Sequence, residues 1–408
     1  MPIFLFDIDG VLIQSHGYRK AFFKTVASYF DQFGLSWLTL DETVYHDFIH
    51  SPFTAEWDMA PLTIAAFLDW YATINPRILP YPALKNINNL PEVENGSSFS
   101  AELMKLIRLM AEVFGNQVRP VEAIYQDCVA RGCSSFFPTL SQDAILGEIL
   151  HDSLNPQTSQ IFQRLETFLL GSSQFETTFE IAPEVYTKSA LETEDVLLLS
   201  PRWRERIKTG INKEFYASVI TARPNVPDQT QEKRVFSAMP EAESALKILG
   251  WDQGVIPVIG AGSINVFEAR RNIPFNITLK PAALHALTGI FRAVGMDEED
   301  AFDEADHVIS QQSLSDLAIL KLKSLFQVEC PLEIFVFEDS VSGIVSSIEA
   351  VKYLNSAEIP ATLFKAGIQT SEPKSDCLKA IGAEVFPDIN QALTYVFEQK
   401  INLIKLKG

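Results

Sequence analysis

Along this chain the apolar positions follow two different rhythms. Up to about residue 205 they recur mostly every three or four residues, the period of a helix with one buried face. Ala21, Phe22, Val26 and Phe30 mark such a helix over about 17–33, and similar spacing predicts helices over 100–114, 120–130 and 157–170. Thr54 reads as the cap of a further helix whose first turn carries Glu56 and Asp58, acids suited to the positive end of a helix. Pro61 in that pattern predicts a kink or a restart. Residues 75–98, rich in Pro, Asn, Gly and Ser, read as a long loop.

From about residue 213 the rhythm changes to short apolar runs separated by helical stretches. Runs at 215–221, 255–259, 333–337, 361–364 and 384–386 predict strands. A helix is predicted over 241–249, with Pro240 placed for its first turn and Gly250 for its stop. Others open at Lys280-Pro281 and run to about Ala293, follow the 333–337 strand to about Leu354, and follow Asp388. Strands alternating with helices predict an α/β fold: a Rossmann-like parallel sheet with helices on both faces. The opening run Ile3–Phe6 has no strand neighbour for about 200 residues, so it is expected to join the later sheet. The expected organisation is a core made of 1–14 and 213–408, with 15–212 inserted as a large, mainly helical block. Ligands of an open parallel sheet sit outside the carboxyl ends of its strands, where this block would emerge.

Composition narrows the function. Of 408 residues, 47% are hydrophobic, enough for a sizeable core and against global disorder. The net charge of −19 argues against nucleic-acid and anionic-membrane partners, which require a positive footprint. It leaves a small phosphorylated metabolite open, because local cations and a metal hold phosphate inside a negative protein. The first apolar run is broken too soon by acids for a signal peptide, and no stretch reaches the roughly 20 apolar residues of a membrane span. A cytoplasmic location is expected. Cys128, Cys133, Cys330 and Cys377 fit a reducing compartment, and the spacing of the first two matches no common zinc pattern.

Candidate chemistry gathers at the predicted strand ends. Asp7 and Asp9 follow the first strand, two residues apart on extended chain, so both carboxylates can face one site. Such neighbours repel unless a cation lies between them or one is protonated. Gly10 permits the turn that follows. Thr221 ends a strand within Val219-Ile-Thr-Ala-Arg-Pro224, where a hydroxyl and backbone amides can grip phosphate oxygens. Lys280 opens a helix with a charge able to neutralise phosphate. Glu338 and Asp339 end another strand and are hard oxygen ligands suited to magnesium. Singly, Thr221 reads as well as a turn residue, Lys280 as a solvated charge and Glu338-Asp339 as a helix-cap pair. Four motifs in this order, each at a predicted strand end, are hard to attribute to chance.

This ordered set (FDIDGV at 6–11, VITARP at 219–224, LKP at 279–281 and FEDSVSGI at 337–344) resembles the haloacid dehalogenase superfamily of phosphohydrolases. The resemblance covers about 1–14 and 213–408. It implies Asp7 as nucleophile and metal ligand, and Asp9 as general acid/base with its backbone carbonyl on the metal. Thr221, with Ala222, and Lys280 would hold the transferring phosphoryl group. Asp339 would bind Mg²⁺ directly, and Glu338 directly or through water. Gly343 stands where many relatives carry a second acid, a form shared by members similar to phosphoglycolate phosphatase and β-phosphoglucomutase. The insertion resembles a C1-type helical cap, much enlarged; Phe53–Asp58 and Phe168–Ser172 are the similar segments. The implied activity is a Mg²⁺-dependent phosphatase acting through an aspartyl-phosphate on a small metabolite. A sugar phosphomutase on the same core and a non-catalytic binding protein are the alternatives. Asp9 favours phosphate chemistry, because the dehalogenating branch usually lacks an acid there.

Other features have plainer readings. His46 and His50 share a helix face without an evident third ligand, so a solvated face is expected. The acidic run 297–306 lacks the spacing of a calcium loop and reads as an exposed insertion. Trp57, Phe67 and Trp70 read as packing within the inserted block. Arg223 reads either as a support of the phosphate-binding loop or as a surface ion-pair partner.

Overall fold

The computed structural model describes residues 1–92, 99–115, 120–131, 136–228, 238–251, 254–274, 276–316, 318–319 and 331–401. The chain divides into two units, one of Met1–Ser15 with Asp195–Gly408, the other of His16–Glu194.

The first unit is built on strands β1 (Ile3–Phe6), β2 (Ile13–Gln14), β3 (Val196–Leu197), β4 (Tyr216–Ile220), β5 (Val258–Ile259), β6 (Leu332–Glu338), β7 (Ala361–Ile368) and β8 (Glu384–Phe386). Six of them form one parallel sheet in the order β5-β4-β1-β6-β7-β8. β1 therefore does join strands that lie 200 or more residues later in sequence. Its four residues are all fully buried because both faces of the sheet are covered. Ile3 and Leu5 turn to one face, against Ala286, Ile290 and Leu354. Phe4 and Phe6 turn to the other, against Ile207, Ala245 and Ala392. On that face Phe4 stacks on Phe215 with ring centroids 4.7 Å apart, and Phe6 on Phe337 at 5.0 Å.

Several local expectations hold and several shift. The helix Glu241–Leu249 ends with Gly250 at φ +73°, the left-handed stop expected from its sequence. β5 is shorter than predicted, and β7 extends four residues further, to Ile368. The acidic run is not an exposed insertion. It forms the amphipathic helix Glu298–Gln311, capped by Asp297, with Ala301, Phe302, Ala305 and Val308 buried in the sheet-bearing unit. Phe302 stacks on Phe267 at 4.9 Å. Residues 195–212, expected in the inserted block, lie in this unit as well. β3 pairs antiparallel with β2, and the helix Pro201–Gly210 buries Trp203 and Ile207 against the Phe4 face. Helical periodicity is the same whichever body a helix packs on, so the spacing could not reveal this.

The second unit is helical. The helices Gly17–Gln32, Glu56–Ile74, Phe99–Phe114 and Gln160–Leu170 contribute to its core of Phe22, Phe30, Phe67, Leu103 and Ile161. Thr54 does not cap the second of these; Ala55 holds that position without a side-chain bond. Pro61 sits inside this helix without ending it, at the cost of one intrahelical N–H bond. Between Asn75 and Glu92 the predicted loop carries two short 3₁₀ turns. Buried acids secure remote backbone: Asp58 accepts from Val121 N–H at 2.7 Å, and Asp69 from those of Thr139 and Leu140 at 2.8 Å each. His46 and His50 are exposed. Phe67 is core, whereas Trp57 is half-buried and donates its indole N–H to Glu166. Cys128 is a buried thiol and Cys377 an exposed one; Cys133 and Cys330 lie outside the described residues. Among the described residues no helix is long and apolar enough to cross a membrane.

Glu166 is fully buried, and its Oε2 has no hydrogen-bond partner among the described residues. Burial pushes its carboxyl up to about 8, with the Trp57 bond opposing. The folded state thus keeps a proton that the unfolded chain releases near pH 4.5. The stability this gives is fully present below that pH and is lost as pH rises towards 8, at up to ~1.4 kcal/mol per pH unit. Glu166→Gln, which keeps an oxygen for Trp57, should flatten the fall in urea midpoint between pH 5 and 8. Equal pH slopes in the two proteins would contradict the buried, protonated carboxyl.

Candidate active site

The register of the sheet places the site. Phe6 lies level with Phe337 and with Val219, so the residues that follow them leave the same carboxyl edge. Asp7 N–H donates to Phe337 O at 3.0 Å, which keeps Asp7 beside Glu338. Thr221 N–H donates to Ile259 O at 3.0 Å and holds the end of β4 to β5. The chain runs from β1 to β4 and β5 on one side, then returns to β6 on the other. The crevice between β1 and β6 is therefore the switch point of this sheet, where open α/β folds take their ligands.

Lys280 Nζ donates to Asp7 Oδ1 at 2.9 Å and to Glu338 Oε2 at 2.6 Å. All three side chains are at least nine-tenths buried. Oxygens of Asp7, Glu338 and Asp339 lie within 4.8 Å of one another, the one such acidic group among the described residues. Two of these carboxylates, Asp7 and Glu338, thus share one ammonium. Burial, then the Glu338 charge, push the Asp7 carboxyl up to about 8 against the pull of Lys280. Burial, then Asp7, push Asp339 up to about 6. Burial alone would lower the Lys280 ammonium, but Asp7 and Glu338 override it and hold the group above its ordinary range. A group of hard oxygen donors with surplus negative charge has the chemistry of a divalent-cation site.

Local chemistry aims these side chains. Ser340 caps the helix Val341–Ser356, accepting from Gly343 N–H at 3.2 Å, and donates its hydroxyl to Glu338 Oε1 at 2.8 Å. Glu338 is thereby held at both oxygens. A Cβ on Gly343 would overlap the Glu338 carboxylate, which accounts for glycine at this position. Gly10 turns with φ +74°, and a Cβ there would come within 2.5 Å of Asp339 Oδ2. Behind Lys280 sits His285, fully buried, whose Nε2–H donates to Ile259 O at 2.9 Å while Nδ1 accepts from Lys280 N–H at 3.4 Å. Burial, then the Lys280 charge, push this imidazole down to about 3, so it is neutral and ties the lysine loop to β5.

The remaining predicted residues are arranged differently. Asp9 does not join the acidic group; both its oxygens accept from Arg223, the shortest contact being 2.6 Å from Nη2. Arg223 is not on the surface, and its Nη2 also donates to Asp195 at 2.9 Å. Thr221 is fully buried, and its hydroxyl oxygen accepts from Arg223 N–H at 3.1 Å, whereas Ala222 is exposed at the loop tip. Sequence reasoning missed Asp195 and His285. Asp195 follows a helical stretch without any motif of its own, and His285 lies inside a helix pattern. Only its position five residues after Lys280 could have drawn attention to it.

No family model matches the chain, and no curated protein matches it. Two solved structures are similar over almost its whole length. One, an X-ray structure of Northeast Structural Genomics Consortium target ZR25, is 14% identical with a TM-score of 0.57, covering 98% of this chain and 99% of that one. The other, phosphatase Tt82 from Thermococcus thioreducens, is 13% identical with a TM-score of 0.41, covering 94% of this chain and 100% of that one. At these values the first is a likeness of fold alone.

Proposed function

We propose that this protein is a Mg²⁺-dependent phosphatase that hydrolyses a small phosphorylated metabolite through an aspartyl-phosphate on Asp7. The observation that carries the reading is the Lys280 ammonium shared by Asp7 and Glu338 at the β1–β6 crevice, with Asp339 in reach. Asp7, Glu338 and Asp339, with the backbone carbonyl of Asp9, would hold the metal. When bound, the ion neutralises surplus carboxylate charge and the charge of the phosphoryl oxygens, reducing repulsion between two anions.

The chain's own residues supply the rest. Lys280 engages Asp7 Oδ1, leaving Oδ2 to form the bond to phosphorus. Thr221, the Ala222 amide and Lys280 orient the phosphoryl oxygens, and charge placed in advance at those oxygens lowers the barrier. As the phosphorus–oxygen bond of the ester breaks, protonated Asp9 gives its proton to the departing oxygen. Asp9 then takes a proton from the water that cleaves the aspartyl-phosphate, releasing phosphate and restoring Asp7.

Millimolar Mg²⁺ should raise the thermal midpoint of the wild-type protein, since a ligand at 100 times its Kd adds about 2.7 kcal/mol. Asp339→Asn should abolish most of that shift, and an unresponsive wild type would count against the metal assignment. Phosphate release across sugar, polyol, nucleotide and organic-acid phosphates should identify substrates. Asp7→Asn should lose roughly 10⁴-fold or more in kcat, and Asp9→Asn about 10²–10⁴-fold. Wild-type rates in Asp7→Asn would refute the nucleophile. Isomerised sugar phosphate in place of free phosphate would assign phosphotransfer instead.

A further inference from the structure

Outside the acidic group lies a second polar assembly, the bridge Asp9–Arg223–Asp195. The Arg223 guanidinium donates through Nε to both Asp9 oxygens at 3.1 and 2.9 Å, and through Nη2 to Asp9 Oδ1 at 2.6 Å and Asp195 Oδ2 at 2.9 Å. The arginine side chain is 1% exposed and that of Asp195 0%, whereas the Asp9 side chain is 38% exposed. Arg223 therefore grips Asp9 from within and leaves the outer edge of its carboxylate open.

The grip is itself held from several sides. Arg223 N–H donates to Thr221 Oγ1 at 3.1 Å, and its carbonyl accepts from Ala261 N–H at 3.0 Å. A Cβ on Gly260 would overlap that carbonyl, so the loop lies tightly against its neighbour. Asp195 immediately precedes β3, which pairs with β2, and Gly10 N–H donates to Ile13 O at 2.8 Å. The contacts close a ring: Asp9, Arg223, Asp195, β3, β2 and back through the Gly10 turn. Main chain and carboxylate of Asp9 are thus fixed from two directions. A lysine could not replace the planar fork that serves two carboxylates at once.

We propose, resting on the role given to Asp9 above, that Arg223 is a positioning residue for Asp9 and that Asp195 is its buried anchor. Asp9 is needed where the departing group must gain a proton. An alkyl phosphate releases a strongly basic alkoxide; 2,4-dinitrophenyl phosphate releases a stable phenolate that needs no proton. Misplacing Asp9 therefore penalises the alkyl ester selectively, which a general loosening of the fold would not do.

The test compares kcat/KM for the best alkyl phosphate found in the screen with that for 2,4-dinitrophenyl phosphate. The proteins are wild type, Asp9→Asn, Arg223→Ala, Arg223→Lys, Asp195→Asn and the Asp9→Asn/Arg223→Ala double variant. The alkyl-to-aryl ratio should fall about 10-fold or more in Asp9→Asn and Arg223→Ala. It should fall in the same direction in Asp195→Asn, and no further in the double variant than in Asp9→Asn. If Arg223→Ala does not fold, Arg223→Lys, which keeps the charge without the fork, decides by the same ratio. Equal losses on both esters, or a ratio multiplied in the double variant, overturn the proposal. An Asp9→Asn-like fall absent from the Arg223 variants overturns it alone; a wild type that releases no phosphate from any ester overturns it together with the reading it rests on.

Discussion

Three side chains taken out of water together, Lys280 between Asp7 and Glu338, set the terms for the rest of the sheet-bearing unit. Burying each ion costs several kcal/mol, and only close, well-directed partners offset that. The partners are close because β1 and β6 pair in a register that sets Asp7 beside Glu338. They are well directed because Ser340 orients Glu338 and the neutral His285 ties the lysine loop to β5. Shift the register by one residue and the carboxylates would point to opposite faces of the sheet.

Each buried cation of the crevice pairs with two carboxylates. Lys280 pairs with Asp7 and Glu338, and Asp339 lies within reach of both acids. Arg223 pairs with Asp9 and Asp195. Two acids separated by one residue thus lie in different electrostatic settings: Asp7 in a buried acidic group, Asp9 half-exposed against a guanidinium. Differences of this kind are what allow neighbouring carboxylates to take different parts in one reaction.

Architecture explains why these residues come from such distant stretches. Chain order reverses between β1 and β6, and a reversal opens a crevice at the carboxyl edge that no crossover connection fills. The inserted helical unit leaves the chain after Ser15 and rejoins it at Asp195, one of the residues of the Arg223 bridge. Its own core is built on aromatic packing around Phe30 and Phe67 and on acids that hold remote backbone.

By itself the sequence determined the alternation of strands and helices, the parallel α/β class, the helical character of the insertion, and the strand ends that carry Asp7, Thr221 and Glu338; Lys280, also expected at a strand end, lies instead in a turn before the helix Ala283–Ala293. Those features are local: period, punctuation and a charged residue directly after an apolar run. It left undecided that residues 195–212 pack with the sheet, that the acidic run 297–306 is one face of a packed helix, and that Arg223 is buried between Asp9 and Asp195. Only the tertiary structure decided these. Which neighbour a periodic helix covers, and which of several acids a given cation meets, depends on strand order and register across some 200 residues of intervening chain, and no local pattern of side chains encodes that distance.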